Sequence, residues 1–258
     1  MSCDFFKLAN AGVQGLMPYQ PGKPVDEVAR ELNLDPNSIV KLASNENPQG
    51  PSPKALAAIQ QELAELTRYP DGSGYRLKAA LAKKFDLSTR QITLGNGSND
   101  LLDLIGRCWL APGRNAVYSE YSFAVYPITT QAMGAEHKVV PAKNWGHDLP
   151  AMAAAIDENT SVVFIANPNN PTGTWLAEKE LREFMQRVPE NVLVVLDEAY
   201  SEYVDEQAYP DTLKLLNDFA NIVVCRTFSK AYGLAALRVG YSVSSVNIAE
   251  TLNRIRQP

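Results

Sequence analysis

From Gln91 onward the chain repeats one pattern: a short apolar run rich in β-branched residues, followed by a stretch with helical spacing. The runs cover residues 92–94, 116–118, 137–140, 162–166, 192–196, 222–225 and 239–243. Strands that alternate with helices restrict the fold to an α/β class, a mostly parallel sheet with helices on both faces. Val192-Leu193-Val194-Val195-Leu196 is apolar at every position, as a strand buried on both sides requires. The last run differs. Only thirteen residues separate Cys225 from Val239, too few for a comfortable crossover, so the seventh strand is expected to be antiparallel. Between the runs, residues 101–109 read as helix, and so do 180–188, where Leu181, Phe184, Met185 and Val188 recur at spacings of 3, 4 and 7.

The first fifty residues behave otherwise. Prolines at 18, 21, 24, 36 and 48 break them up, and 26–32 is the one short helical segment, so this part reads as an arm. Ser52 followed by Pro53 is a helix start, a capping oxygen and then a fixed φ, and Leu56, Ile59, Leu63 and Leu66 fall on one face. Arg68 to Gly74 is a turn-rich break, and 77–85 resumes helix. The expected organisation is an N-terminal arm with a small-domain portion over 1–70 and a large domain over 71–258.

Charge and cysteine content narrow the function. With 24 Lys and Arg against 29 Asp and Glu, the net charge of −5 and the lack of basic blocks argue against a nucleic-acid partner. Three scattered cysteines, Cys3, Cys108 and Cys225, make neither a zinc site nor a disulfide framework. No apolar run approaches the length of a membrane helix and no secretory leader opens the chain, so the expected compartment is the cytoplasm, without membrane partners. The two histidines, His137 and His147, read as surface residues rather than metal ligands. Acid–base chemistry here must rest on Lys, Asp or Tyr.

In such sheets ligands gather beyond the carboxyl ends of the strands. Four of these ends carry chemistry. Gly95-Asn96-Gly97-Ser98-Asn99-Asp100 precedes a helix, and its glycines let free N–H groups of Ser98 and Asn99 approach an anion. Asn167-Pro168-Asn169-Asn170-Pro171-Thr172-Gly173 is a rigid turn that holds side-chain amides at the sheet edge. Asp197 ends a buried strand, where a carboxylate needs a positive partner, and Tyr200 follows it. Thr227-Phe228-Ser229-Lys230 ends another, with Arg238 eight residues on; burial lowers a lysine's pKa and makes it nucleophilic. An anion cradle, a ring-oxygen donor, a carboxylate, a phenol, a lysine and an arginine on one rim match the needs of pyridoxal 5′-phosphate.

With these motifs, and with PYQPGKP, KLASNENPQGPSP, RYPDG, DEAY and RTFSKAYGLAALRVGY in the same order, the sequence resembles the fold-type-I pyridoxal-phosphate aminotransferases, in particular those acting on histidinol phosphate. The resemblance implies that Lys230 bonds the cofactor's aldehyde, Asp197 pairs with its ring nitrogen, and Asn170 and Tyr200 hydrogen-bond its phenolic oxygen. Ser98, Asn99, Thr227, Ser229 and Arg238 would hold its phosphate, and Tyr121 would stack on its ring. Tyr69 would reach the cofactor phosphate of the other subunit of a homodimer, and Tyr19 the substrate. The implied reaction converts L-histidinol phosphate and 2-oxoglutarate to imidazole acetol phosphate and L-glutamate, a step of histidine biosynthesis. An aromatic aminotransferase, a threonine-phosphate decarboxylase or an inactive fragment stays open. The family continues beyond Arg254 to Pro258 into a small C-terminal domain, so the chain reads as an incomplete member of it.

Overall fold

The computed structural model describes residues 3–257, so Pro258, the end of the expected large domain, lies outside the described residues. All seven expected strands form: β1 (Ile92–Gly95), β2 (Asn115–Ser119), β3 (Glu136–Val140), β4 (Thr160–Ala166), β5 (Leu193–Asp197), β6 (Ile222–Thr227) and β7 (Gly240–Ser244). They build one sheet in the order β1-β7-β6-β5-β4-β2-β3. The neighbouring pairs among β2 to β6 are parallel, whereas β7 runs antiparallel to both β6 and β1. The short connection from Thr227 to Gly240 thus has the consequence its length implied.

The two-residue period of the strands divides the core in two. Val163 and Ile165 of β4, Val194 and Leu196 of β5, and Ile222 and Val224 of β6 face one side. There they meet α5 (Tyr75–Phe85), α8 (Leu149–Ala155), α9 (Glu178–Met185) and α10 (Thr212–Leu215). Val162, Phe164, Leu193, Val195, Val223 and Cys225 face the other side, against α6 (Ser98–Trp109), α7 (Val125–Ala132) and α11 (Val246–Ile255). Leu101, Leu102 and Ile105 of α6 have no exposed surface. Each such side chain contributes roughly 1.5–3 kcal/mol by leaving water.

The segment before β1 is more open. It carries the short helices α1 (Phe5–Leu8) and α2 (Ala11–Gln14), then α3 (Val25–Leu32) and α4 (Pro53–Glu62). Ser52 caps α4, its hydroxyl accepting from the Ala55 N–H at 3.2 Å. The apolar face expected on α4 is present but meets no core: α4 buries no residue, and Leu56, Leu63 and Leu66 are exposed. Helix formation there is local, from cap and propensity, while burial needs a second surface that the sheet does not provide.

Candidate functional site

The carboxyl ends of β4, β5 and β6 and the loop after β1 open into a cleft of about 480 Å³. Its walls bring together Ser98, Asn99, Asn170, Asp197, Tyr200, Thr227, Ser229, Lys230 and Arg238, with Tyr19 and Pro21 contributed by the arm. Local chemistry explains which side chains are free to point inward. In the turn after β4, the Asn167 carbonyl oxygen Oδ1 accepts from the Leu176 N–H at 2.9 Å, and Asn169 Nδ2 donates to the Tyr121 carbonyl at 2.7 Å. Both amides hold the turn itself, which leaves Asn170 for the cleft. In the loop after β1, Asp100 Oδ2 accepts from the Asn96 N–H at 2.8 Å and closes the turn.

One end of the cleft is built for an anion. Ser98 and Asn99 occupy the first turn of the twelve-residue α6, where N–H groups have no intrahelical acceptor. Arg238 stands beside them in a left-handed backbone conformation; Nη1 donates to Ser229 Oγ at 3.1 Å and Nη2 to the Asn96 carbonyl at 3.2 Å. This close approach needs two glycines. A Cβ on Gly97 would lie 2.5 Å from Arg238 Nη2, and one on Gly240 would lie 2.7 Å from the Ser98 nitrogen.

Asp197 lies deeper and is buried. Its Oδ2 accepts from the Tyr126 hydroxyl at 3.1 Å and its Oδ1 from the Ala199 N–H at 3.3 Å. Burial pushes its pKa up to about 6 despite these donors and the charge of Lys230, and among the described residues no cation is in contact with it. The adjacent Glu198 has no exposed surface and is satisfied by Arg226, Nε at 2.9 Å and Nη2 at 2.8 Å, and by the Thr212 hydroxyl at 2.6 Å. Of two neighbouring carboxylates, one is therefore paired within the fold and one is left for the cleft.

Lys230 Nζ donates to the Ser44 carbonyl at 2.6 Å and sits 5.5 Å from the centre of the Tyr200 ring. Burial lowers its pKa, with Arg238 adding to the effect and Glu46 and Asp197 opposing it. The Tyr200 hydroxyl accepts from Asn45 Nδ2 at 3.0 Å and from Asn170 Nδ2 at 3.4 Å.

Two expected residues lie elsewhere. Tyr121 does not line the cleft; its ring packs on Trp145, centroids 5.1 Å apart. Phe123 takes that wall, edge-on to Tyr19 at 6.5 Å. Asn169 holds the Tyr121 carbonyl, while Phe123, three residues before Tyr126, lines the cleft. Tyr69 is fully exposed and touches none of the cleft of its own chain. Sequence reasoning passed over Phe123, Tyr126, Ser44 and Asn45. The i, i+3 spacing of Phe123 and Tyr126 was the available signal for the first two.

The class I and II aminotransferase family model matches residues 37–258, and the chain belongs to that family. It is 67% identical over its whole length to histidinol-phosphate aminotransferase 2 of Pseudomonas fluorescens, and 64% identical over 255 residues to the protein of the same name from Pseudomonas aeruginosa. It spans 70% of the first and 69% of the second. Among solved structures, histidinol-phosphate aminotransferase from Sinorhizobium meliloti in complex with pyridoxal-5′-phosphate superposes with a TM-score of 0.87 at 33% identity, covering 96% of this chain and 66% of that one. Aspartate aminotransferase from Thermus thermophilus with maleate shares the fold, with a TM-score of 0.83 at 20% identity, 95% of this chain and 67% of that one being covered.

Proposed function

We propose that the cleft binds pyridoxal 5′-phosphate and transfers the amino group of L-histidinol phosphate to 2-oxoglutarate, yielding imidazole acetol phosphate and L-glutamate. The observation that carries this reading is the convergence of Lys230, Asp197, Tyr200 and Asn170 with the anion cradle of Ser98, Asn99 and Arg238 in one cleft. The donor set fits the cofactor at both ends. Two helix N–H groups, the Thr227 and Ser229 hydroxyls and a guanidinium suit a phosphate. At the other end, a buried carboxylate with no cation in contact among the described residues suits a protonated ring nitrogen.

Bound there, the cofactor would supply an aldehyde to take up the amino group and a ring to absorb the electron pair left when the substrate's Cα–H bond breaks. Asp197 would hold the proton on the ring nitrogen. Tyr200 and Asn170 would bind the phenolic oxygen, and Phe123 would close one side of the ring as an apolar wall. The lowered pKa of Lys230 raises the share of its neutral amine, which can remove the proton from the substrate's Cα and later return one. Tyr19, which lines the cleft from the arm, would meet the substrate.

The active unit in this reading is a homodimer, in which Tyr69, free of its own cleft, would contact the cofactor phosphate held by the other chain. The substrate assignment rests on relatives named histidinol-phosphate aminotransferase that match 100% and 99% of this chain.

Mixing the protein with pyridoxal 5′-phosphate tests the reading. A visible band that borohydride bleaches, with the label mapped to Lys230, is expected; label on other lysines, undiminished in Lys230→Ala, would refute it. Glutamate formed from L-histidinol phosphate and 2-oxoglutarate, and not from phenylalanine in its place, tests the substrate.

A further inference from the structure

The arm contributes more to the cleft than a cover. Ser44 and Asn45 both have left-handed backbones, φ 69° and 50°, although neither is glycine. Two such residues in succession are costly, and they place two groups at once: the Ser44 carbonyl against Lys230 Nζ at 2.6 Å and Asn45 Nδ2 against the Tyr200 hydroxyl at 3.0 Å. A phenol oxygen carries two lone pairs and one proton. Asn45 and Asn170, at 3.0 and 3.4 Å, approach that oxygen as donors from two different segments. With both lone pairs engaged, the proton has no role except donation.

We propose that Asn45 is a positioning residue for Tyr200: with Asn170 it occupies the acceptor sites of the phenol oxygen, so that the hydroxyl is held as a donor directed into the cleft. The inference rests on the cofactor reading only for what the hydroxyl meets there, the phenolic oxygen of pyridoxal phosphate. The titratable and charged groups facing Tyr200 are Asp197, Tyr19 and Tyr203, together with Lys230 over its ring; none of these supplies a donor bond to its oxygen.

Asn45→Asp keeps the side-chain shape and a residue type that accepts φ near 50°, but replaces the amide donor by an acceptor that draws the Tyr200 proton away from the cleft. Two readouts separate this inference from the cofactor reading. In the cofactor-free protein labelled with ¹³Cζ-tyrosine, and with Tyr200→Phe assigning the signal, Asn45→Asp and Asn45→Ala are expected to move the Tyr200 resonance. An unmoved resonance in both variants, with the helical signal of the wild type retained, overturns the proposal. In the cofactor-loaded protein, the pH midpoint of the visible band is expected to rise by about one unit in Asn45→Asp, because the imine loses the donor that favours its unprotonated form. A midpoint equal to the wild type also overturns the proposal. Absence of any borohydride-sensitive band in the wild type would count against the cofactor reading alone, since the tyrosine resonance still decides the contact.

Discussion

At the scale of single residues, Asp197 shows how the site is held at a cost to the fold. Its folded pKa of about 6 lies above the ordinary aspartate value of 3.8. A group whose pKa is raised by folding stabilises the chain below the unfolded value and loses that contribution as pH rises through the folded one. The cofactor-free protein should therefore lose on the order of 3 kcal/mol between pH 4 and pH 7 from this carboxylate. Asp197→Asn removes the charge and keeps the shape. It is expected to be more stable than the wild type at pH 8 and to lose that advantage at pH 4, as urea melts at the two values would show, while its turnover nearly vanishes. Glu198, one residue on, is paired. Arg226→Ala would leave it buried without its cation, and a loss of about 3–5 kcal/mol in unfolding free energy, read from denaturant melts, is expected.

At the scale of elements, strands and the long helices follow from composition and spacing, and their ends agree with the sequence reading within a few residues. Buried strands need continuous apolar runs, and those runs are visible without a structure. Phe164 in β4 has no exposed surface and stacks on Tyr126 at 4.8 Å. Phe164→Ala should cost about 3–5 kcal/mol and, by loosening Tyr126, weaken the hold on Asp197. Leu63, just after α4, is a contrast: a similar truncation there should change the stability of the isolated chain by less than about 0.5 kcal/mol, because its side chain is already in water. The helical pattern was legible in both regions; whether a partner surface exists was not, since no local signal reports it.

At the scale of the whole molecule, the exposed Leu56, Leu63 and Leu66 lie in the same stretch of chain as the free Tyr69. A homodimer that covers this stretch would bury the apolar face and bring Tyr69 of the partner subunit to a cleft. Sedimentation is expected to give twice the chain mass, and Leu63→Glu with Leu66→Glu to shift it towards the monomer. A monomer at all concentrations in the wild type would refute the dimer.

The seven strands, the antiparallel seventh, the lysine, the carboxylate and the arginine at strand ends could all be read from the sequence, because β structure and buried charge impose strong local requirements on residue type; the order of the strands in the sheet came only with the structure. The loop residues could not. Tyr121 and Phe123 differ by two positions, and which one faces the cleft goes with contacts made far along the chain: Asn169, forty-eight positions away, holds the Tyr121 carbonyl, and the Tyr121 ring packs on Trp145. Asn45 reaches Tyr200 across 155 positions. Residue type and spacing were enough for the strands of the sheet and the chemical groups on its rim. Which neighbouring side chains are consumed by the fold and which remain free became visible only in three dimensions, because that depends on hydrogen-bond partners brought together from distant parts of the chain.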